Sequence, residues 1–299
     1  MVSQLKQLLE KNETFNKFLL QPYRNFRLQN YYKSLLPLKH LSEGERHMWL
    51  ERIRKVKLSS DNAKIIKNAA SGTIREGKLV MHNGLVIDPL SYYGAPVMRM
   101  LIENQAVHEP QEEYVFQEIL EQMPEGACMV ELGCYWGFYS MWFNSKVKGA
   151  KNVLIDNHDG IQRAKANFAL NKLNAEFMES YIGKENLQSP VRISNVDEIA
   201  RIFNLDFIHI LHCDIQGYEL EMLETMPNQL KKNGIGYLFI STHSNALHYD
   251  CIAFLEQNGF SVICHSDLDN SFSEDGLIVA KSSVYKGIDH IEISMLQNV

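Results

Sequence analysis

The sequence predicts an α/β fold built on a mostly parallel, seven-stranded sheet, preceded by a helical region and a β-hairpin. Three observations predict it. Seven apolar, strand-like runs fall at 127–131, 152–156, 175–180, 207–214, 236–241, 261–265 and 277–281. Helix-like segments separate the first six, and strands alternating with helices at this spacing give a parallel sheet covered on both faces. The last two runs have only residues 266–276 between them, with no helical pattern, so the final strand is expected to return antiparallel.

Ahead of the sheet, Leu5, Leu8, Leu9, Phe15, Phe18 and Leu19 recur at three- and four-residue steps, and a second periodic stretch covers residues 43–56. Pro22 and Pro37 punctuate this region. Residues 78–88 read as a hairpin with Asn83-Gly84 at its turn. Helices are expected over 95–103 and from Glu109-Pro110 to about residue 122. Within the sheet region the expected helices are 137–145, 159–173, 196–203, 218–225 and 246–258. The domain boundary is placed between residues 108 and 109, with the N-terminal part covering the mouth of the site or making an oligomer contact.

The most informative stretch is Met129 to Gly137, Met-Val-Glu-Leu-Gly-Cys-Tyr-Trp-Gly. A strand ends in an acid, Glu131, and a turn with Gly133 and Gly137 opens a helix. That is the first half of an adenosyl-cofactor site, with glycines giving the backbone close approach. The spacing Glu-x-Gly-x-x-x-Gly is not the Gly-x-Gly-x-x-Gly that wraps a pyrophosphate, which favours S-adenosylmethionine over NAD. Asp156 ends the second strand, 23 residues after Gly133, where an acid can take both ribose hydroxyls. Asp159 is the better placed of the two to cap the following helix. The fourth strand ends at Asp214, followed by Ile-Gln-Gly-Tyr-Glu, and the fifth carries His243 to the same edge.

These elements resemble the FkbM-type family of S-adenosylmethionine-dependent methyltransferases. The likeness lies in Val130 to Gly137, in Asp156 with Phe168-Ala-Leu-Asn171, in Leu211-His-Cys-Asp-Ile-Gln-Gly-Tyr-Glu-Leu-Glu-Met-Leu223, in Ser241-Thr-His243 and in Gln257-Asn-Gly-Phe260. It covers about residues 109–281, and it departs at Gln216 and Ser241, where the family commonly has Glu. The resemblance implies a class I, Rossmann-like methyltransferase that methylates a hydroxyl, often of a sugar or another small metabolite. Glu131, Gly133, Tyr135, Gly137, Asp156 and Asp214 are then the expected cofactor contacts. His243 is the expected general base, and Asp214 beside it is the second expected catalytic residue, to hold the acceptor hydroxyl, orient His243 or ligate a divalent cation. Asp214, His243 and Gln216 make a thin ligand set for Mg²⁺, so no metal site is assigned. The readings set against this are a degenerate binding module and, less favoured, an NAD-dependent oxidoreductase.

Composition narrows the rest. The 299 residues are 45% hydrophobic with a net charge of −6, which argues against nucleic-acid binding through a basic face. The basic segment 46–57 has helical periodicity and reads as a solvated face. Five cysteines show neither zinc nor redox spacing. No run is apolar and long enough to span a bilayer, and the N-terminus lacks the apolar core of a signal peptide, so a cytoplasmic location is expected.

Overall fold

The computed structural model describes residues 21–184 and 190–298. The periodic stretch from Leu5 to Leu19 lies outside the described residues. Helix α1 (Gln21–Leu35) carries Pro22 in its first turn, where a missing amide breaks no helical bond. Helix α2 (Glu43–Leu58) starts on a capping box: Ser42 Oγ accepts the Glu45 amide, and the Glu45 carboxylate accepts the Ser42 amide. It buries Ile53 and Val56 and leaves Arg54 and Lys57 exposed, as expected of a solvated basic face.

The hairpin is present as β2 (Lys78–Val80) and β3 (Val86–Ile87), with β1 (Ile74–Arg75) added antiparallel at its edge. Helices α3 (Ala95–Glu103) and α4 (Pro110–Leu120) follow.

The main sheet then forms in chain order. It comprises β4 (Cys128–Leu132), α5 (Phe138–Lys146), β5 (Lys151–Asp156), α6 (His158–Leu170) and β6 (Glu176–Glu179). A short parallel pair, β7 (Tyr181–Ile182) and β8 (Ile193–Ser194), was not legible in the sequence. After it come α7 (Val196–Ile202), β9 (Ile208–Cys213), α8 (Glu219–Glu224), α9 (Pro227–Lys231), β10 (Ile235–Thr242), α10 (Asn245–Gln257), β11 (Phe260–Ser266) and β12 (Gly276–Ser282).

The seven strands lie in the order β11-β12-β10-β9-β4-β5-β6. The five from β10 to β6 are parallel to their neighbours, and β12 runs antiparallel between β10 and β11. This is the expected α/β sheet with its antiparallel return. Strand order reverses between β4 and β9, so the crevice at their carboxyl ends is where such sheets bind ligands.

Two apolar layers flank the sheet. One gathers Phe138, Phe143 and Phe239 with Leu38, Ile53, Leu79 and Met98 from the N-terminal elements. The other gathers Val196, Met222, Leu238 and Leu255. The N-terminal residues thus share a core with one face of the sheet. All five cysteines are buried and unpaired by disulfides. Among the described residues, no helix is long and apolar enough to cross a membrane.

Candidate functional site

A cavity of about 550 Å³ opens at the carboxyl edge beside the β4–β9 crevice. Gly133, Tyr135, Asp156 and Asp214 line it, with Tyr92 and Tyr93 from the loop before α3 and Ser180, Tyr181 and Tyr218 on the far side. Four of the residues expected from the sequence therefore meet in one place.

The loop after β4 explains itself residue by residue. Gly133 has φ +75°, and a Cβ there would stand 1.7 Å from the Asp214 carbonyl oxygen. Its glycine lets the ends of β4 and β9 close on each other. Gly137 (φ +73°) opens α5, and a Cβ would press on Ala164, Leu154 and Phe168 at 3.1–3.3 Å. It is a packing position and does not line the cavity. Glu131 is likewise absent from the lining. It is 2% exposed, its carboxylate accepts the Ser140 amide at 3.0 Å, and burial lifts its pKa to about 7. Its place is beneath the loop, where it ties the first turn of α5 to the sheet.

Asp156 stands at the tip of β5. Its carboxylate accepts the amides of Tyr135 at 2.7 Å and Asn157 at 2.6 Å. Burial raises its pKa against those two donors. A Cβ at Gly160 would lie 2.4 Å from the Asp156 carboxyl carbon, so that glycine makes room for it. The helix cap expected of Asp159 is supplied by Asn157, whose side chain accepts the Gly160 amide at 3.1 Å. Asn157 has the extended backbone of an N-cap, whereas Asp159 is already inside the first turn.

Loop amides decide which ligand suits the turn. Gly133 and Cys134 donate to the Ile155 carbonyl, Tyr135 donates to Asp156, and Gly137 donates to the Cys134 carbonyl. These donors are spent inside the protein, and a carboxylate faces the cavity beside them. A pyrophosphate would meet a negative charge where it needs free amides.

An aromatic cover closes the cavity from the N-terminal side. Tyr92 stacks on Trp136 with centroids 4.6 Å apart and rings within 2° of parallel. Tyr93 stacks on Tyr135 at 5.2 Å, and the Arg163 guanidinium lies over the Tyr135 ring. Tyr93, Tyr135 and Gln216 all hold positive φ (44°, 40° and 57°), a conformation that side chains with a Cβ adopt at a cost.

Behind Asp214 sits His243, which does not line the cavity. Its Nε2 is 3.3 Å from Asp214 Oδ1 and 3.4 Å from Asp275 Oδ1, and its Nδ1 is 3.0 Å from Glu219 Oε1. Burial opposes the charge, but the three carboxylates outweigh it and push the imidazole up to about 10. At neutral pH the ring is a cation with no lone pair to take a proton. A base must be unprotonated at working pH, so a ring set among three carboxylates and outside the cavity favours holding Asp214, Glu219 and Asp275 together over the expected general-base role.

Sequence reasoning missed Asp275, Tyr92 and Tyr93. Asp275 precedes an apolar run, but β12 is antiparallel, so its amino end meets the carboxyl ends of the parallel strands. Following that reversal would have brought Asp275 to the site. Burial, then Asp214, raises its pKa to about 7 against His243.

Next to this edge lies a buried network on α4. Glu113 is 2.7 Å from His82 and 2.6 Å from His108, His108 is 3.2 Å from Glu109, and His212 is 2.7 Å from Glu112. The Tyr139 hydroxyl donates to Glu109 at 2.9 Å. The segment from Glu109 does begin a helix, as expected, but Glu112 and Glu113 are buried and Glu109 nearly so, and they pair with His108 just ahead of the helix, His82 from the hairpin and His212 from β9. His209 accepts the Cys128 amide and His158 pairs with Glu179, so neither enters the cavity. Among the described residues, no group of three or more His, Cys, Asp and Glu side chains has a geometry that would hold a metal ion.

Residues 143–262 match the Methyltransferase FkbM domain. No curated protein matches the chain. Solved structures similar to it include a putative rRNA-methylase from Clostridium thermocellum, at 11% identity and a TM-score of 0.43 over 59% of this chain and 97% of that one. M. capricolum TrmK in complex with S-adenosyl-homocysteine is similar at 12% identity and a TM-score of 0.41, over 60% of this chain and 71% of that one. A precorrin-6y C5,15-methyltransferase from Geobacter metallireducens is similar at 12% identity and a TM-score of 0.41, over 56% and 87%. These likenesses are faint, and the strand order above is the firmer ground for the fold.

Proposed function

From an FkbM methyltransferase domain over residues 143–262, we propose that the protein transfers a methyl group from S-adenosylmethionine to a hydroxyl of a small acceptor, with a sugar as the first class to try. The observation that carries this reading is the cavity bounded by Asp156 and Asp214 over a loop whose amides are spent. The residues suit an adenosyl sulfonium. In this reading Asp156 would accept from ribose hydroxyls and Asp214 would offer negative charge opposite a cation, and nothing in the loop asks for phosphate.

When bound, the cofactor supplies a methyl group already activated by the sulfonium charge. The protein's part is then positioning, exclusion of water and removal of a proton from the acceptor. Tyr135, held by its amide on Asp156, and Tyr93, stacked on it, wall the cavity. The His243 cation fixes Asp214, Glu219 and Asp275 around it and keeps the carboxylates from repelling one another apart.

Calorimetric titration with S-adenosylhomocysteine and, separately, NAD tests the proposal. Micromolar binding of the first and none of the second is expected. Binding of NAD alone would install the oxidoreductase reading, and binding of neither would leave a module without the chemistry.

A further inference from the structure

We infer that Asp275 takes the proton from the acceptor hydroxyl, in a small polar subsite that it forms with Glu109, Ser241 and Ser273; this rests on the methyl-transfer reading above. The subsite is a cavity of about 10 Å³ at the end of β10, walled by those residues and by Gln111 and Glu112. That volume receives one water or one hydroxyl group.

Among the described residues, Asp275 differs from the neighbouring carboxylates in that neither of its oxygens accepts a hydrogen bond, whereas each neighbour has at least one oxygen engaged. Glu219 accepts the amides of Ile215 and Gly217 and faces His243 Nδ1. Asp214 accepts from Gln216 at 2.8 Å, and Glu109 accepts from Tyr139. Among the described residues, no hydrogen-bond donor reaches the Asp275 carboxylate; His243 Nε2, at 3.4 Å, is its ion-pair partner. The backbone around it is fixed, because Ser273 Oγ accepts the Asp275 amide and donates to the Asp275 carbonyl. The side chain keeps 22% exposure, a route for the proton to leave.

Its surroundings set the charge. Asp214 and Glu109 raise the Asp275 pKa, and His243 and Arg52 lower it, with burial the largest influence and about 7 the result. A base near the working pH is the efficient one. The acids that surround the subsite disfavour a phosphate or carboxylate there and favour a neutral hydroxyl.

In the transfer, the acceptor O–H bond breaks and its proton goes to an Asp275 carboxylate oxygen. The acceptor oxygen forms a bond to the methyl carbon, and the carbon–sulfur bond breaks with its electron pair remaining on sulfur. The products are a methyl ether and a neutral thioether, and Asp275, now a carboxylic acid, returns its proton to solvent.

Two readouts test this with full-length protein at pH 7. The first is calorimetric binding in two buffers of different ionisation heat, which counts protons. Burial and Asp214 raise Asp275 to about 7, so a sulfonium brought beside it favours the carboxylate and expels protons, and S-adenosylhomocysteine, lacking that charge, expels fewer. The excess is expected to vanish in Asp275→Asn and to persist in Asp275→Glu. The second is formation of S-adenosylhomocysteine from S-adenosylmethionine with methanol as the probe acceptor. Methanol should accelerate it in the wild type and do so about 100-fold less in Asp275→Asn. An unchanged excess in Asp275→Asn, no excess in a wild type that binds both ligands, or no acceleration by methanol would overturn the proposal. Failure of the wild type to bind either ligand would instead defeat the methyl-transfer reading beneath it.

Discussion

Replacing Glu113 by Gln probes the buried network under the site. Glu113 is fully buried, pairs with His82 at 2.7 Å and His108 at 2.6 Å, and accepts the amides of His108 and Glu109 at 2.8 and 2.9 Å. A glutamine keeps the shape and can still accept those amides, so the loss is mainly that of the charge. Breaking a buried ion pair from one side costs about 3–5 kcal/mol. For 299 residues at about 2.1 cal/mol/K each, the unfolding entropy is about 0.6 kcal/mol/K, so a 4 kcal/mol loss lowers Tm by about 6 °C. Glu113→Ala removes the acceptor as well and adds about 1–3 kcal/mol for each orphaned amide, close to the whole stability of a domain.

The pH dependence has a definite sign. His108, opposed by burial, is raised by Glu109 and Glu113 to about 10, above its unfolded value near 6.5. That stabilisation is complete below about pH 6.5 and fades as pH rises toward 10. Burial works against the ionised Glu113, yet His108 and His82 lower its pKa, so its share is present above the unfolded carboxyl value and is lost as pH falls below it. The Glu113→Gln defect should therefore be largest near pH 6 and shrink by pH 9–10. Urea unfolding followed by circular dichroism at both pH values measures it. A defect below about 1 kcal/mol at pH 6, or one that grows with pH, would refute this account of the network.

Other outcomes follow from the geometry. Gly133→Ala, with its Cβ 1.7 Å from the Asp214 carbonyl, should separate the ends of β4 and β9, lower Tm and abolish S-adenosylhomocysteine binding by calorimetry. Asp156→Asn removes a charged acceptor and should weaken that binding by about 10- to 100-fold, since a hydrogen bond to a charged group is worth about 1.5–3 kcal/mol; unchanged affinity would place the ribose elsewhere. A chain beginning at Glu109 would expose the sheet face now covered by Leu38, Ile53, Leu79 and Met98, and should bind an apolar dye and unfold without cooperativity. A soluble, cooperative fragment would show that the sheet domain folds without the N-terminal part.

The strands and helices of the sheet were legible because each is specified locally. Apolar runs ending in Glu131, Asp156 and Asp214, and glycines at turns, mark strand ends wherever the chain lies. The antiparallel return was readable from the missing helix between β11 and β12, and the tips of β4, β5 and β9 were correctly brought to one edge. What the sequence by itself determined, then, was the layered sheet and the carboxyl-edge placement of Asp156, Asp214 and Gly133.

Tertiary structure decided the chemical state of those groups. Whether Glu131 faces a ligand or Ser140 depends on how α5 packs, and whether Gly137 serves a ligand or Phe168 depends on α6. His243 reads as a base in isolation and becomes a cation only when Asp214, Glu219 and Asp275 converge on it from separate segments. The same holds for Tyr92 and Tyr93, which reach the cavity by stacking on residues more than forty positions downstream. Periodicity records which side of an element is buried, but a pKa depends on charges and water within a few ångströms, and those are assembled only when the chain closes on itself.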